Sequence, residues 1–205
     1  MNAPAPLPSR EDIAMLDVFP GLGLRDIDVV ATAPQAAHAL AQLMALQMVG
    51  FDTESKPTFL KNEVSTGPHT VQFATRDHAW VFQLHDADCR AAAAQLLASR
   101  SLHKMGFGLS GDRTQIRHKL GIEPEAVFDI DTEFRRRGYR RDMGVKTAVA
   151  LVFNQRFVKS RKQTTSNWSN KQLTDAQVSY AANDAYAAMC VAHALGLGAA
   201  LASPR

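Results

Sequence analysis

The stretch Leu173-Thr-Asp-Ala-Gln-Val-Ser-Tyr-Ala-Ala-Asn-Asp-Ala-Tyr186 decides how the rest of the chain is read. Its alanine content and spacing predict the start of a long helix. Thr174 suits the N-cap, and Gln177, three residues on, can reach back to complete a capping box. Leu173 and Val178 then fall at the two positions of a hydrophobic staple. Tyr180 and Asp184 are four residues apart, so they lie one above the other on the same helix face. A phenol and a carboxylate among alanines call for partners from elsewhere in the chain.

Working outward, hydrophobic periodicity lays out the remaining elements. Residues 27–32 alternate like a short strand, and 34–48 carry apolar residues at helical spacing. Val49-Gly-Phe-Asp-Thr-Glu54 reads as a strand, followed by a polar loop over 55–68. Residues 70–75 and 79–84 alternate around Arg76-Asp-His, as a hairpin does. A helix is expected over 88–99, a short strand near 102–107, a glycine-rich turn, a helix over 111–120 and a buried strand at 127–130. Beyond these the sequence reads helical, with a basic break at 154–167. A hairpin, then strands alternating with helices, then a helical C-terminal part imply an α/β fold: a mixed sheet flanked by helices in a single domain. The domain is expected over 25–205. Residues 1–24, rich in proline at their start and lacking the regions of a signal peptide, read as a floppy lead-in.

Composition narrows the class. The 205 residues are those of an ordinary globular domain, and no run of about eighteen apolar residues spans a membrane. Cys89 and Cys190 lie far apart and form no metal-type pair, so both are expected as buried, reduced thiols of a cytoplasmic protein. Net charge is only +3, yet ten lysines and arginines against one acid fall between Arg135 and Lys162. That segment is +9, leaving −6 for the remainder. Such asymmetry suggests a polyanionic partner, and a solvated helix face would look the same.

Asp52 and Glu54 are two apart on one strand and therefore project to the same face. Adjacent carboxylates repel unless a cation neutralises them, and Mg²⁺ and Mn²⁺ prefer such oxygens. Asp112 opens a helix after Gly106-Phe-Gly-Leu-Ser-Gly111, a stretch that also matches a dinucleotide-binding fingerprint and so admits an oxidoreductase. That alternative puts Asp112 where a pyrophosphate would bind and leaves the other acids unused. Taken together, Asp52, Glu54, Asp112 and Asp184 could hold two divalent ions, the arrangement that serves phosphodiester cleavage. Tyr180 would orient or deprotonate the attacking water.

Phe51-Asp-Thr-Glu54, Lys104-Met-Gly-Phe-Gly-Leu-Ser-Gly-Asp112 and Ser166-Asn-Trp-Ser followed by Leu173-Thr, Gln177 and Tyr180-Ala-Ala-Asn-Asp184 resemble the three exonuclease motifs of the DEDDy branch of the DnaQ-like superfamily. This branch includes ribonuclease D and the Werner-syndrome-type exonuclease domain. The resemblance runs in order from about residue 27 to 195, and the second motif looks closer to the Werner type. It implies a ribonuclease-H-like fold and metal-dependent removal of nucleotides from a 3′ end, releasing nucleoside 5′-monophosphates. DNA is slightly favoured over RNA, with a ribonuclease D-like RNA-processing enzyme as the alternative. The resemblance assigns Asp52, Glu54, Asp112 and Asp184 to two Mg²⁺ or Mn²⁺ ions, with Asp52 bridging them, and Tyr180 to the water. Arg135, Arg136, Arg137, Arg140, Arg141, Lys159, Arg161 and Lys162 are expected to meet the nucleic-acid backbone. Phe107 is expected either beside the terminal base or in the core. Asp129 and Asp131 are expected to be structural, and Trp168 to pack against the final helix.

Overall fold

A computed structural model describes residues 5–58 and 63–198. The ends of the expected lead-in and domain, and the middle of the 55–68 loop, lie outside those residues. In chain order the elements are α1 (Arg10–Met15), β1 (Ile27–Val30), α2 (Ala33–Met44), β2 (Met48–Glu54), β3 (Thr70–Ala74) and β4 (Ala79–Gln83). There follow α3 (Ala87–Ala98), β5 (His103–Gly106), α4 (Ser110–Leu120), β6 (Val127–Asp129), α5 (Asp131–Arg136), α6 (Val145–Phe153), α7 (Arg161–Thr164) and α8 (Asp175–Ala194). The six strands make one sheet in the order β1-β4-β3-β2-β5-β6. Only β3 runs against its neighbours, because it is the first arm of the β3–β4 hairpin and also pairs antiparallel with β2. The expected mixed α/β sheet is therefore present.

The two faces of β2 show why the sheet is covered on both sides. Val49 and Phe51 point into a core with Val71, Phe73, Leu43, Leu96 and Leu97, which brings α2 and α3 onto that face. Gly50, Asp52 and Glu54 point the other way, and α8 lies over them. Gly50 makes this approach possible: a Cβ there would sit 1.9 Å from the carbonyl oxygen of Ala185. Across the β2–β3 ladder Gly50 faces Ala74, Asp52 faces Gln72 and Glu54 faces Thr70. The α8 side is thus small at one end of the strand and polar at the other.

Helix α8 starts as its sequence dictates. Thr174 accepts from the Gln177 backbone while the Gln177 side chain reaches back to the Thr174 N–H at 3.0 Å. The Gln177 amide also donates to Ser166 Oγ at 2.8 Å, and Gln83 donates to the Asn170 and Lys171 carbonyls, so the loop before α8 is tied to helix and sheet. Trp168 is buried, its ring 5.9 Å from that of Tyr180, as expected of a residue packed against the last helix. Lys104 is fully buried, donating to the carbonyls of Leu96, Leu97 and Ser99, where it closes the C-terminal end of α3.

Three expectations need correcting. The lead-in carries a helix, α1, with a Ser9–Asp12 capping box, and Phe19 is buried against Phe153, Phe157 and Tyr186. The segment from Ile13 to Leu24 is apolar enough to be held by burying its one aromatic in a cleft. The strand at 127–130 is an edge strand rather than a fully buried one, with Phe128 38% exposed. Cys190 is half-buried, whereas Cys89 is buried as expected, and both are free. Among the described residues no helix is long and apolar enough to cross a membrane.

Candidate active site

Asp52 and Glu54 leave the same face of β2 at its C-terminal end, and Asp184 descends on them from α8. One carboxylate oxygen from each lies within 4.8 Å of the others. Asp184 is 5% exposed, and its Oδ1 has no hydrogen-bond donor among the described residues. Burial, and then the charge of Asp184, push the Asp52 carboxyl well above the usual carboxylate range. Burial, and then Asp52, raise Glu54 to about 9. Asp184 is raised as well, chiefly by burial. Three carboxyls packed this closely at low exposure repel one another in the ionised form, so the site favours whatever cation enters it.

Lys159 supplies one such cation. Its Nζ approaches Asp184 Oδ2 at 2.7 Å and lies 5.2 Å from the centre of the Tyr180 ring. The approach to Asp184 is close but not aligned as a hydrogen bond. Burial works against the ammonium, yet Asp184 and Asp52 more than offset it and hold Lys159 above the ordinary lysine range. Lys159, expected to meet the nucleic-acid backbone, lies against the acids.

Asp112 stands apart from the trio. Its Oδ1 accepts from the hydroxyl of Thr53, the residue between Asp52 and Glu54 whose side chain points to the opposite face. Burial raises its carboxyl, and its charge in turn raises Asp52 and Glu54. The acids thus form a group of three with a fourth close enough to be felt. Tyr180 is buried, its hydroxyl 3.0 Å from Thr164 Oγ1. Burial, and then Asp184, push the phenol up to about 12. At neutral pH it stays protonated, so it can orient a water by hydrogen bonding but is no base.

The glycine-rich turn is explained by packing. A Cβ at Gly106 would lie 2.5 Å from the Phe51 carbonyl oxygen, and Gly108 has φ +67°. Asp129 accepts from the Leu109 and Asp131 backbones, and Asp131 accepts from Met143 N, so both acids are structural as expected. With Asp112 at the start of α4, nothing there suits a pyrophosphate. The oxidoreductase reading is set aside.

The chain matches the model of a 3′-5′ exonuclease family over residues 27–198. It belongs to that family. Among curated relatives, a 3′-5′ exonuclease of Arabidopsis thaliana is 26% identical over 144 residues, which is 69% of this chain and 50% of the relative. The bifunctional 3′-5′ exonuclease/ATP-dependent helicase WRN of Mus musculus is 25% identical over 151 residues, 73% of this chain and 11% of that protein. This exonuclease chain therefore spans half or less of the length of those relatives. Trypanosoma brucei RNase D, solved with RNA U12, superposes with a TM-score of 0.72 at 20% identity, covering 90% of this chain and 64% of that one. That likeness shows a fold shared with the RNase D.

Around the candidate site the basic segment divides in two. Arg135 pairs with Asp131 and Asp142 at 2.6 Å each, while Arg136 and Arg137 both turn to Glu133. Arg140, Arg141, Arg161 and Lys162 are exposed and make no ion pair among the described residues. Phe107 is half-buried, lining a cleft of about 690 Å³ together with Asp129, Lys146 and Lys159.

Sequence reasoning missed Asn183. Its side chain accepts from Leu22 N at 2.7 Å and donates to Leu22 O, which fastens the segment before β1 to the helix that carries Asp184. A polar residue beside a site acid on an alanine-rich helix was the available signal.

Proposed function

We propose that the domain removes nucleotides one at a time from the 3′ end of a nucleic-acid strand, releasing nucleoside 5′-monophosphates. Asp52, Glu54, Asp112 and Asp184 would hold two divalent cations, Mg²⁺ or Mn²⁺. The observation that carries this reading is the meeting of Asp52, Glu54 and Asp184 within 4.8 Å, with one buried oxygen of Asp184 lacking a donor. An all-oxygen donor set of this kind suits hard divalent ions. Bound there, such ions would make hydroxide available near neutral pH and stabilise the leaving oxygen.

The side chains have distinct tasks. Tyr180, protonated and fixed against Thr164 and Trp168, orients the attacking water. Thr53 holds Asp112 so that its second oxygen is left for a ligand. Lys159 stands ready to meet a phosphate once a metal takes its place beside Asp184. DNA is the first substrate, from the likeness of Gly106-Phe-Gly-Leu-Ser-Gly111 and Asp112 to the Werner-type motif. RNA is the second reading, supported by the similarity to an RNase D solved with RNA.

The test is digestion of 5′-labelled single-stranded DNA, single-stranded RNA and recessed duplexes, with Mn²⁺, Mg²⁺ or chelator. A ladder shortening from the 3′ end, abolished by chelator and by Asp52→Asn or Asp184→Asn, is expected. Undiminished digestion in chelator, or wild-type rates in both variants, would show that the acids are not the centre.

A further inference from the structure

The segment before β1 and the chain leading into α7 enclose a groove of about 570 Å³. Five cations line it, Arg10, Lys146, Arg156, Lys159 and Arg161, and no acid does so among the described residues. Four of them, Arg10, Lys146, Arg156 and Arg161, have no ion-pair partner among the described residues. Arg156 Nε is in addition buried without an acceptor. A buried guanidinium N–H left unmatched costs free energy, and an anion in the groove would recover it.

The groove is built rather than incidental. Val18 and Arg156 form a parallel bridge, with Arg156 N donating to Asp17 O at 2.7 Å and Phe19 N to Arg156 O at 2.9 Å. Phe19, buried among Phe153, Phe157 and Tyr186, pins this wall in place. Lys159 connects the groove to the acids, because the same ammonium that lines it touches Asp184.

We infer that this groove, with α1 as one wall, binds the phosphates of the substrate strand on the 5′ side of the bond being cut. The inference rests on the proposed exonuclease function. When cleavage takes the terminal nucleotide, nearly all of the bound strand lies to the 5′ side, so a cationic track longer than one nucleotide belongs there. Unpaired lysines and arginines serve such a track, since each phosphate contact then releases a counterion without first breaking an internal ion pair. By the same measure Arg135, Arg136 and Arg137, already paired to acids, contribute less.

Fluorescence anisotropy of labelled single strands, measured in chelator across a salt series, reads the groove without catalysis. For a dodecanucleotide, Arg10→Ala and Arg156→Ala should each weaken binding by on the order of 5-fold and reduce the salt slope by about 0.7. A dinucleotide, too short to fill the groove, should lose less. Arg156→Lys, which keeps the charge, should retain most of the slope and so separates charge from packing. Arg100→Ala, an exposed residue paired with Glu125, is the control and should leave the slope unchanged. Wild-type slopes in Arg10→Ala and Arg156→Ala, or equal losses on both strand lengths, would overturn the groove, as would absence of strand binding by the wild type. Metal-dependent cleavage that persists alongside such a result would leave the proposed function standing. A wild type that binds strands through the groove but cuts none with any divalent ion would sink the function instead.

Discussion

Replacing Lys159 with methionine removes the charge beside Asp184 while keeping a stem of similar length over the Tyr180 ring. At 2.7 Å and an effective dielectric of ~20, the gross attraction between the ammonium and the carboxylate is about 6 kcal/mol. Desolvation takes back most of that. Exposed pairs contribute up to about 1 kcal/mol, and breaking a buried pair costs about 3–5 kcal/mol. With 29% of the lysine side chain exposed, a net of about 2 kcal/mol is reasonable for this pair. A divalent ion entering the wild-type site must give up that amount, so Lys159→Met should bind Mn²⁺ about 30-fold more tightly where the acids are ionised. The sign depends on pH. Without the ammonium, which lowers both, the Asp52 and Glu54 carboxyls are raised further and take up protons that the metal must then expel. The gain should therefore be small near pH 7 and larger near pH 9. Isothermal titration of Mn²⁺ at both pH values, each in two buffers of different ionisation enthalpy, gives affinity and proton count together. Unchanged or weaker binding at the higher pH, with no extra proton release at pH 7, would mean that the ammonium does not compete for the metal position.

In chelator, thermal stability should fall as pH rises. Asp52, Glu54 and Asp184 have folded pKa values above their unfolded ones, so the folded state binds more protons from about 4.5 up to about 9 for Glu54. A melting temperature lower at pH 8.5 than at pH 5.5, with Mn²⁺ removing the difference, is expected by calorimetry; a rise with pH would contradict the buried, crowded acids. Gly50→Ala drives a methyl into the Ala185 carbonyl and should cost about 3 kcal/mol or more, seen as a drop of roughly 10 °C in melting temperature. An unchanged melt would show that α8 rides farther from β2. Tyr180→Phe should lower kcat by about 10- to 100-fold, the loss of one hydrogen bond to the water, with Mn²⁺ affinity moving less than about 2-fold. Normal turnover would assign the orienting role to another group.

Much of the fold could be read from local signals. The Thr174–Gln177 capping box, the β3–β4 hairpin and the paired acids of β2 each depend on residues within a few positions of one another, and all are present. Tyr180 and Asp184 share a face because helical spacing compels it. What local pattern could not supply was the partner across the sheet. Nothing in Phe51-Asp-Thr-Glu54 says that Thr53, on the far face, will engage Asp112 from α4. Phe19 had a signal of its own: Ile13, Leu16, Val18, Leu22 and Leu24 surround it, and an aromatic in so apolar a run is worth placing in a core before the run is treated as loose.

The basic segment teaches the opposite lesson, because its pairing was written in the sequence at helical spacing. Asp131 precedes Arg135 by four residues and Glu133 precedes Arg137 by four, the arrangement that brings opposite charges together on a helix. Counting charge from Arg135 onward leaves those acids just outside the window and makes α5 look free. Once they are included, the segment's cations without ion-pair partners among the described residues lie at Arg140, Arg141 and Lys162 and around the groove next to Asp184. Net charge of a segment therefore measures attraction for a polyanion only after its own acids are subtracted face by face. On that basis the phosphate-facing side that we infer runs through Lys159 to Arg10 rather than along α5. Its far wall comes from the lead-in, through Arg10, Ile13 and Ala14.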